Sequence, residues 1–344
     1  MKIRVIVAMG GPSAEHEVSL ATGREILKHI DTAKYETRIL IISRDKQFFY
    51  SDKSVASLAD PEFTAPETSS HFTGPIAPAQ SQDVWDGMDV VVLALHGEFG
   101  EDGRFQGFLD TIGIPYTGSG VYASAVGMEK IASKYIFEQQ GITTPPYSVY
   151  HTDGSGISIQ DIIEKHGFPC FVKCPQSGSS RLMGRAGTKQ DLEHMLKEFA
   201  AFAQQILIES NIEGEEYSCP VLEYPDGEAM ALPPILIRPV RSSYFDYRAK
   251  YTEGACEEIV PAPCDPNLAK RLQDLSLQAH KVLTCRGLSR TDMIVKGDGI
   301  YVLETNTLPG LTSASLAPKA FAATGGSYTE LLDILIETTL AGRK

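Results

Sequence analysis

The first third of the chain alternates short apolar runs with segments whose apolar residues recur at helical spacing. Residues 3–9 (IRVIVAM) form the first run, and after a Gly-Gly turn Leu20, Leu27 and Ile30 fall on one helical face. Residues 89–95 (DVVVLAL) form a second run, followed by a turn and another segment with an apolar face. A continuous apolar run is typical of a strand covered on both faces and joined to the next by a crossover helix. The pattern therefore predicts an α/β unit with an open parallel sheet.

Two segments depart from this alternation. Residues 51–87 are rich in Ser, Thr, Ala and Pro, which predicts a surface excursion. Residues 122–140 carry a helical pattern that Gly141 closes, and two prolines follow shortly after it. We expect one helix here, and we expect it to open a second domain.

From Phe168 onward the pattern changes to short strands separated by turn residues, with one helix across residues 190–203. Residues 266–285 are predicted to form a long amphipathic helix, and residues 292–295 and 301–304 a hairpin closed by the turn KGDG. Antiparallel sheets with helices on one side are therefore expected for the rest of the chain, which makes this part α+β.

Length, composition and charge limit the class of protein. At 344 residues, with 42% hydrophobic and 22% charged residues, the chain suits a globular protein of two or three domains. Its net charge of -13 disfavours nucleic acids and anionic membranes as partners, because phosphate groups are bound by clustered Lys and Arg. No apolar run is long enough to span a membrane, and Gly10 ends the first run too early for a signal peptide. The six cysteines contain no CxxC pair, so we expect reduced thiols and a cytoplasmic location.

The predicted C-terminal hairpin carries the strongest candidate for chemistry. Asp292, Glu304 and Asn306 alternate along its two strands, so their oxygen atoms are expected on one face. Mg²⁺ prefers such oxygen ligands and shares its other positions with nucleotide phosphates. The alternative is a polar face turned to solvent. The metal site is favoured because the opposite face is apolar and Arg290 flanks the carboxylates.

Lys130 and Lys173 are the next candidates. Lys173 lies within an apolar strand, so its ammonium needs an anion, either a bound phosphate or a structural salt-bridge partner. Residues 177–180 (SGSS) follow it and could hold phosphate oxygens through backbone N–H groups, although most such runs are only turns. Glu209 ends an apolar strand, where it could accept from an adenine amino group or a ribose hydroxyl.

Other acidic residues allow simpler interpretations. Glu213 and Glu215 are expected to be solvated, as charged runs usually are. Glu15 follows the first predicted strand, where doubly wound sheets bind ligands, but it could equally be an acid that favours a helix N-terminus. The turn that precedes it is not GxGxxG, so a dinucleotide site is poorly supported.

Eight ordered segments together resemble the D-alanine-D-alanine ligase family of the ATP-grasp superfamily. They are GGPSAEHEVSL, LHGEFGEDGRFQG, PYTGSGVYASAVGMEK, FVKCPQSGSS, ILIESNIEGEEY, YFDYRAKY, GLSRTDMIV and LETNTLPGLTSASL. The resemblance implies an ATP-grasp fold of three domains, with ATP between the second and third. We place the domains at residues 1–118, 119–209 and 210–344, with a lid loop at 241–261.

The resemblance also implies roles for particular residues. The positions that hold ATP are matched by Lys130, Lys173, Ser180, Glu209 and Glu216. The positions that hold two Mg²⁺ or Mn²⁺ ions are matched by Asp292, Glu304 and Asn306.

Further matches concern the two amino acids and the reaction. The first D-alanine subsite is matched by Glu15, which would bind the ammonium group, and His96. Arg290 and the backbone N–H of Gly310 match the groups that stabilise the acyl phosphate and the tetrahedral intermediate. Ser315 and Leu316 match the site for the carboxylate of the second D-alanine, and Lys250, on the expected lid, is a further substrate-binding candidate. Glu15, Ser179 and Tyr251 match a hydrogen-bonded trio that closes the site.

These matches imply an ATP-dependent ligase that makes D-alanyl-D-alanine for peptidoglycan precursors through an acyl phosphate. A lid is expected because water would destroy that intermediate. ATP and D-alanine are the expected partners, and a homodimer is suggested by the resemblance alone. Related ligases for D-lactate, D-serine or other amino acids are alternatives, although Tyr251 resembles the residue of the dipeptide makers. A catalytically silent ATP-binding protein is the remaining alternative.

One residue departs from the family pattern. Leu182 stands in the phosphate loop where the family has Gly, and Arg181 precedes it. Because Leu tolerates fewer backbone conformations than Gly, we expect slower closure or a raised ATP requirement.

Overall fold

The apolar run at the start of the chain forms an inner strand of a five-stranded sheet. The computed structural model describes residues 2–176, 182–239 and 256–342. β1 (Ile3–Gly10) pairs in parallel with β2 (Tyr35–Ile42) and β5 (Val90–Leu93). β3 (Phe48–Ser51) and β4 (Thr73–Ile76) extend the sheet by antiparallel pairing, in the order β4-β3-β2-β1-β5. The predicted parallel sheet is confirmed for β2, β1 and β5, and its far edge is antiparallel.

Both faces of β1 are buried, as the unbroken apolar run predicts. Val5 and Met9 belong to a core cluster with residues of α1 (His16–His29). Ile6 belongs to a second cluster with residues of α4 (Arg104–Ile112). Helices therefore cover the sheet on both sides, which is the doubly wound arrangement.

Residues 51–87 lie mostly at the surface, as expected, but a few buried residues anchor them to the sheet. Phe63 and Trp85 in this segment are buried and join the two cores beside the sheet. The segment also supplies β4 and the short helices α2 (Asp60–Thr64) and α3 (Gln82–Trp85). The composition of this segment correctly indicated turns. Its aromatic residues nevertheless bury enough apolar surface to anchor the segment to the sheet. Short 3-10 turns connect these pieces at Val55–Ser57, Pro66–Thr68 and Pro78–Gln80.

The single helix expected over residues 122–140 is two helices, α5 (Val121–Met128) and α6 (Lys130–Gln139). Glu129 breaks the helix with φ -89° and ψ 96°, and its carboxylate accepts from the backbone N–H of Ala132 at 2.7 Å. The side chain thus caps α6. As a result Lys130 becomes the first residue of a new helix.

A four-stranded antiparallel sheet forms the middle of the chain, in the order β6-β9-β7-β8. Two helices pack on it and share its apolar core. The strands are β6 (Tyr147–His151), β7 (Cys170–Lys173), β8 (Met183–Ala186) and β9 (Gln205–Ser210), and the helices are α7 (Ile159–His166) and α8 (Lys189–Phe199).

A six-stranded antiparallel sheet follows, in the order β13-β12-β10-β14-β15 with β11 paired to β10. The long helix α9 (Pro266–Val282) packs on it, close to the predicted bounds. The strands are β10 (Glu215–Glu223), β11 (Ala229–Ala231), β12 (Ile235–Pro239), β13 (Cys256–Ile259), β14 (Leu288–Lys296) and β15 (Gly299–Asn306). The later part of the predicted lid, residues 256–259, is therefore strand β13, while residues 241–255 lie outside the described residues.

The chain ends in α10 (Leu316–Ala322) and α11 (Tyr328–Ala341), which return to the N-terminal sheet. Their apolar residues share one core cluster with β1, β2, β5 and α1 and with part of the six-stranded sheet. Within the three described ranges, no helix has the length and apolar character needed to cross a membrane.

Candidate active site

The β14-β15 hairpin places four predicted site residues side by side. Asp292 lies opposite Glu304 in the strand register, and Arg290 lies opposite Asn306. A bulge follows directly after Asp292. The predicted hairpin is thus confirmed, and its alternation puts the four polar side chains on one face.

Cationic and hydrogen-bond-donating side chains contact the carboxylates of Asp292 and Glu304. Arg290 donates to both oxygens of Asp292, with Nε to Oδ1 at 2.9 Å and Nη2 to Oδ2 at 2.8 Å. Ser218 Oγ, from β10, donates to Asp292 Oδ1 at 2.5 Å. Lys130 Nζ lies 3.1 Å from Glu304 Oε2. Ser218 was not singled out from the sequence, since only the β10-β14 register brings it to Asp292.

The oxygen atoms of Asp292, Glu304 and Asn306 fit a divalent cation such as Mg²⁺ or Mn²⁺. Asp292 and Glu304 supply charged oxygens and Asn306 supplies an amide oxygen, which are the ligand types that hard cations prefer. Asn306 Oδ1 accepts from the backbone N–H of Leu308 at 2.9 Å, so its amide is already oriented.

A buried cluster of two lysines and one carboxylate lies next to the hairpin. Glu209, at the end of β9, contacts Lys173 of β7 through one oxygen and Lys134 of α6 through the other. The salt-bridge alternative for Lys173 is thus present, with Glu209 as its partner. Burial disfavours the carboxylate, but the two ammonium groups nevertheless lower the pKa of Glu209. Lys134 was missed in the sequence, where its only signal is its position one helical turn after Lys130.

The charges around Lys173 link this cluster to the metal-ligand hairpin. Burial favours the neutral amine, yet Glu209, followed by Glu304 and Glu216, raises the pKa of Lys173. Glu216 is half-buried on β10. Glu213 and Glu215 are exposed, in agreement with their expected solvation.

The carboxyl ends of β1 and β5 meet where the first substrate was predicted. Glu15 directly precedes α1, and a Cβ atom at Gly97 would lie 2.8 Å from Glu15 Oε2, so the two residues are close neighbours. The φ of 66° at Gly97 favours glycine there. His96 is buried, with Nε2 3.0 Å from Thr22 Oγ1 and Nδ1 3.4 Å from Glu101 Oε1. Glu15 and His96 are therefore brought to one place, as the topology predicts.

The loop before α10 approaches the same place from the C-terminal part of the chain. A Cβ atom at Gly310 would lie 2.9 Å from Ser315 Oγ and 3.9 Å from His96 Cε1. Ser315 precedes α10, and Leu316 is its first residue. Residues matched to the first and second D-alanine subsites therefore lie together.

Four predicted site residues lie outside the described residues: Ser179, Ser180, Lys250 and Tyr251. Arg181 lies outside them as well. Leu182 is described, and its carbonyl accepts from the backbone N–H of Cys174 at 2.9 Å. Its side chain packs against the core of the four-stranded sheet.

A mixed N-terminal sheet is followed by two antiparallel sheets, and Lys173 of the first of these interacts electrostatically with Glu304 and Glu216 of the second, which is the architecture of an ATP-grasp ligase. Models of the N- and C-terminal domains of D-ala D-ala ligase match residues 4–119 and 136–337. The D-alanine-D-alanine ligase of Leptospira biflexa is 36% identical, over 99% of both chains. That of Mycobacterium tuberculosis is 34% identical, over 99% of this chain and 96% of its own. The chain belongs to the D-alanine-D-alanine ligase family.

Solved structures give the same result. The Bacillus anthracis D-alanine-D-alanine ligase complexed with ATP is 33% identical, with a TM-score of 0.77 over 99% of this chain and 98% of its own. The VanG D-Ala:D-Ser ligase of Enterococcus faecalis is 28% identical, with a TM-score of 0.87 over 98% of this chain and all of its own.

Proposed function

We propose that the chain joins two D-alanine molecules to D-alanyl-D-alanine at the expense of ATP, for use in peptidoglycan precursors. The observation that carries this function is the full-length similarity to D-alanine-D-alanine ligases. The proximity of Gly310 to Ser315 and His96 supports it. A carboxylate is a poor acyl donor because it lacks a good leaving group, so ATP first converts it to an acyl phosphate, and attack by the second amine then expels phosphate.

One group of site residues is assigned to the two amino acids, and another to the nucleotide. Glu15 binds the ammonium group of the first D-alanine, beside His96. Arg290 and the backbone N–H of Gly310 stabilise charge on the reacting carbonyl, in the manner of an oxyanion hole. Ser315 and Leu316 receive the carboxylate of the second D-alanine, with Lys250 and with the trio of Glu15, Ser179 and Tyr251 closing the site.

The nucleotide lies between the four-stranded and six-stranded sheets. We assign Lys130, Lys173 and Ser180 to its phosphates and Glu216 to its base or ribose. Glu209 contributes to nucleotide binding through its contact with Lys173. The site also fits two Mg²⁺ or Mn²⁺ ions on Asp292, Glu304 and Asn306, which would neutralise charge on the phosphates.

A second acceptor deserves a direct test, because the D-Ala:D-Ser ligase VanG is structurally similar to this chain with a TM-score of 0.87. Purified protein is given ATP, Mg²⁺ and D-alanine, alone or with D-serine, D-lactate or other amino acids. Phosphate release and product mass are measured. D-alanyl-D-alanine as the main product supports the proposal, a mixed product in its place identifies the sister activity, and no phosphate release contradicts a ligase.

The assembly and location expected from the resemblance belong to this proposal too. A cytoplasmic homodimer with domains at residues 1–118, 119–209 and 210–344 and a lid at 241–261 is consistent with the family. Sedimentation of the purified chain would test the dimer.

A further inference from the structure

Lys134 is a buried lysine that none of the roles above uses. Its side chain is 1% exposed, and that of its partner Glu209 is 2% exposed. The other partner of Glu209, Lys173, is 12% exposed. Of the three groups, Lys173 is therefore the one that most faces the nucleotide site, while Lys134 is too enclosed to touch a substrate.

The geometry gives each oxygen of Glu209 its own lysine. Lys134 contacts Oε1 and Lys173 contacts Oε2, so the trio carries a net charge of +1 when both lysines are protonated. Burial lowers the pKa of Lys134, and the contact with Glu209 opposes this shift. Without Lys134, Glu209 would neutralise Lys173 completely. Lys173 would then offer no net positive charge to an anion.

The position of Lys134 is fixed by the fold. Lys130 and Lys134 lie one turn apart on α6, so the same helix face reaches Glu304 and Glu209. The Lys134 ammonium also lies 5.5 Å from the centre of the Tyr147 ring. A buried ion is costly, and an apolar residue of similar size would serve packing as well or better. The charge of Lys134 therefore calls for a reason other than packing.

We propose that Lys134 is a positioning residue for phosphate binding: by holding one oxygen of Glu209, it preserves the positive charge that Lys173 offers to the nucleotide phosphates. This inference rests on the phosphate-binding role proposed for Lys173. It adds a residue that acts through two others without contacting ATP.

The first experiment separates phosphate binding from base binding. A fluorescent ATP analogue is displaced from the full-length protein by ATP, by tripolyphosphate, which has no base, and by adenosine, which has no phosphate. Lys134→Met should weaken ATP and tripolyphosphate about tenfold or more, because Glu209 would then neutralise Lys173 and weaken its charge-assisted contact with phosphate. Adenosine should change by less than about threefold. Equal weakening of adenosine and tripolyphosphate, or no weakening of tripolyphosphate, overturns the proposal.

The decisive variant removes the carboxylate together with its lysine. Lys134→Met combined with Glu209→Gln leaves Lys173 as the one charge of the trio, so the net charge is again +1. Tripolyphosphate affinity should return to within about threefold of the native value. If the double variant binds tripolyphosphate as weakly as Lys134→Met, the weakening does not come from the charge of Glu209 and the proposal fails. Where Lys134→Met alone does not fold, the double variant is compared with the native protein, and tripolyphosphate binding weaker than native by more than about threefold overturns the proposal.

Two further variants serve as controls. Lys173→Met must weaken tripolyphosphate; if it does not, the phosphate role of Lys173 fails and the inference fails with it. If Lys173→Met weakens tripolyphosphate and Lys134→Met does not, only the inference fails. Lys189→Met removes an exposed charge on α8 and should leave all three affinities unchanged.

Discussion

At the scale of single residues, the carboxylates of the hairpin differ in what their removal would disturb. Asp292 is almost fully enclosed by Arg290 and Ser218, so neutralising it would leave a buried guanidinium without its partner. Glu304 has a side chain that is 31% exposed, and Lys130 contacts it from α6. Glu304 is therefore the better position for testing the metal site without damage to the fold.

We expect Glu304→Gln to lower kcat by roughly a hundredfold or more, because it removes charge from a predicted metal ligand. The thermal midpoint should stay close to the native value. Phosphate release at increasing Mg²⁺ concentration measures the effect, and EDTA should stop the native reaction. Glu213→Gln, at an exposed position of the same chain, is the matched control. Turnover of Glu304→Gln near that of the control would contradict the metal assignment.

A buried histidine gives a pH prediction at the same scale. His280 on α9 has its Nδ1 2.7 Å from Ser289 Oγ, and burial lowers its pKa from 6.5 to about 4. In the unfolded chain His280 is protonated as the pH falls through 6.5, whereas in the folded chain it is protonated only near pH 4. His280 therefore favours the folded state above this window, and its contribution is lost as the pH falls through it.

From pH 7 to pH 5 this effect amounts to about 2 kcal/mol of unfolding free energy. In His280→Gln the loss of stability between these two pH values should be smaller than in the native protein by about that amount. Urea unfolding at both pH values measures it. His194→Gln, at an exposed position, should keep the native pH dependence, and an unchanged dependence in His280→Gln would rule out this contribution.

At the scale of elements, local patterns were predictable and long-range neighbours were not. The β14-β15 hairpin follows from alternation and a turn within 19 residues, Leu288 to Asn306. Ser218 and Lys134 reach their carboxylates only through sheet register and helix packing across 74 and 75 residues. A single sequence holds no signal for such distant pairings. The break at Glu129 was missed because the apolar spacing continues across it while a side-chain cap decides the geometry.

The phosphate-loop anomaly also belongs to this scale. Leu182 packs against the core of the four-stranded sheet, so Leu182→Gly should cost about 1–3 kcal/mol of stability. The sequence-based expectation that glycine lowers the KM for ATP remains a prediction, because glycine would give the loop more conformational freedom. Thermal midpoints and ATP kinetics measure the two effects separately. Leu182→Met, which keeps the volume, is the control, and an unchanged KM for ATP in Leu182→Gly would mean that the loop accommodates leucine.

At the scale of the whole molecule, the cores do not follow the three consecutive segments expected from the sequence. α10 and α11 pack into one cluster with β1 and β5, so the first and last parts of the chain share a core. α5 and α6 contribute Ala123 and Phe137 to the core of the six-stranded sheet. The four-stranded sheet has a core of its own.

The separate cores predict which parts of the molecule lose stability together. Leu332→Ala on α11 should cost about 2–5 kcal/mol, because it opens a cavity in the shared core. Hydrogen exchange followed by mass spectrometry should then become faster in α11, β1 and β5 together, while β7 and β9 keep native rates. Ile208→Ala is the matched variant in the core of the four-stranded sheet, and it should speed exchange in β7 and β9 while leaving β1 unchanged. The two variants would be indistinguishable if the chain unfolded as one unit. Faster exchange confined to α11 in Leu332→Ala would show that the terminal helices do not stabilise the N-terminal sheet, and that the first part of the chain is stable without them.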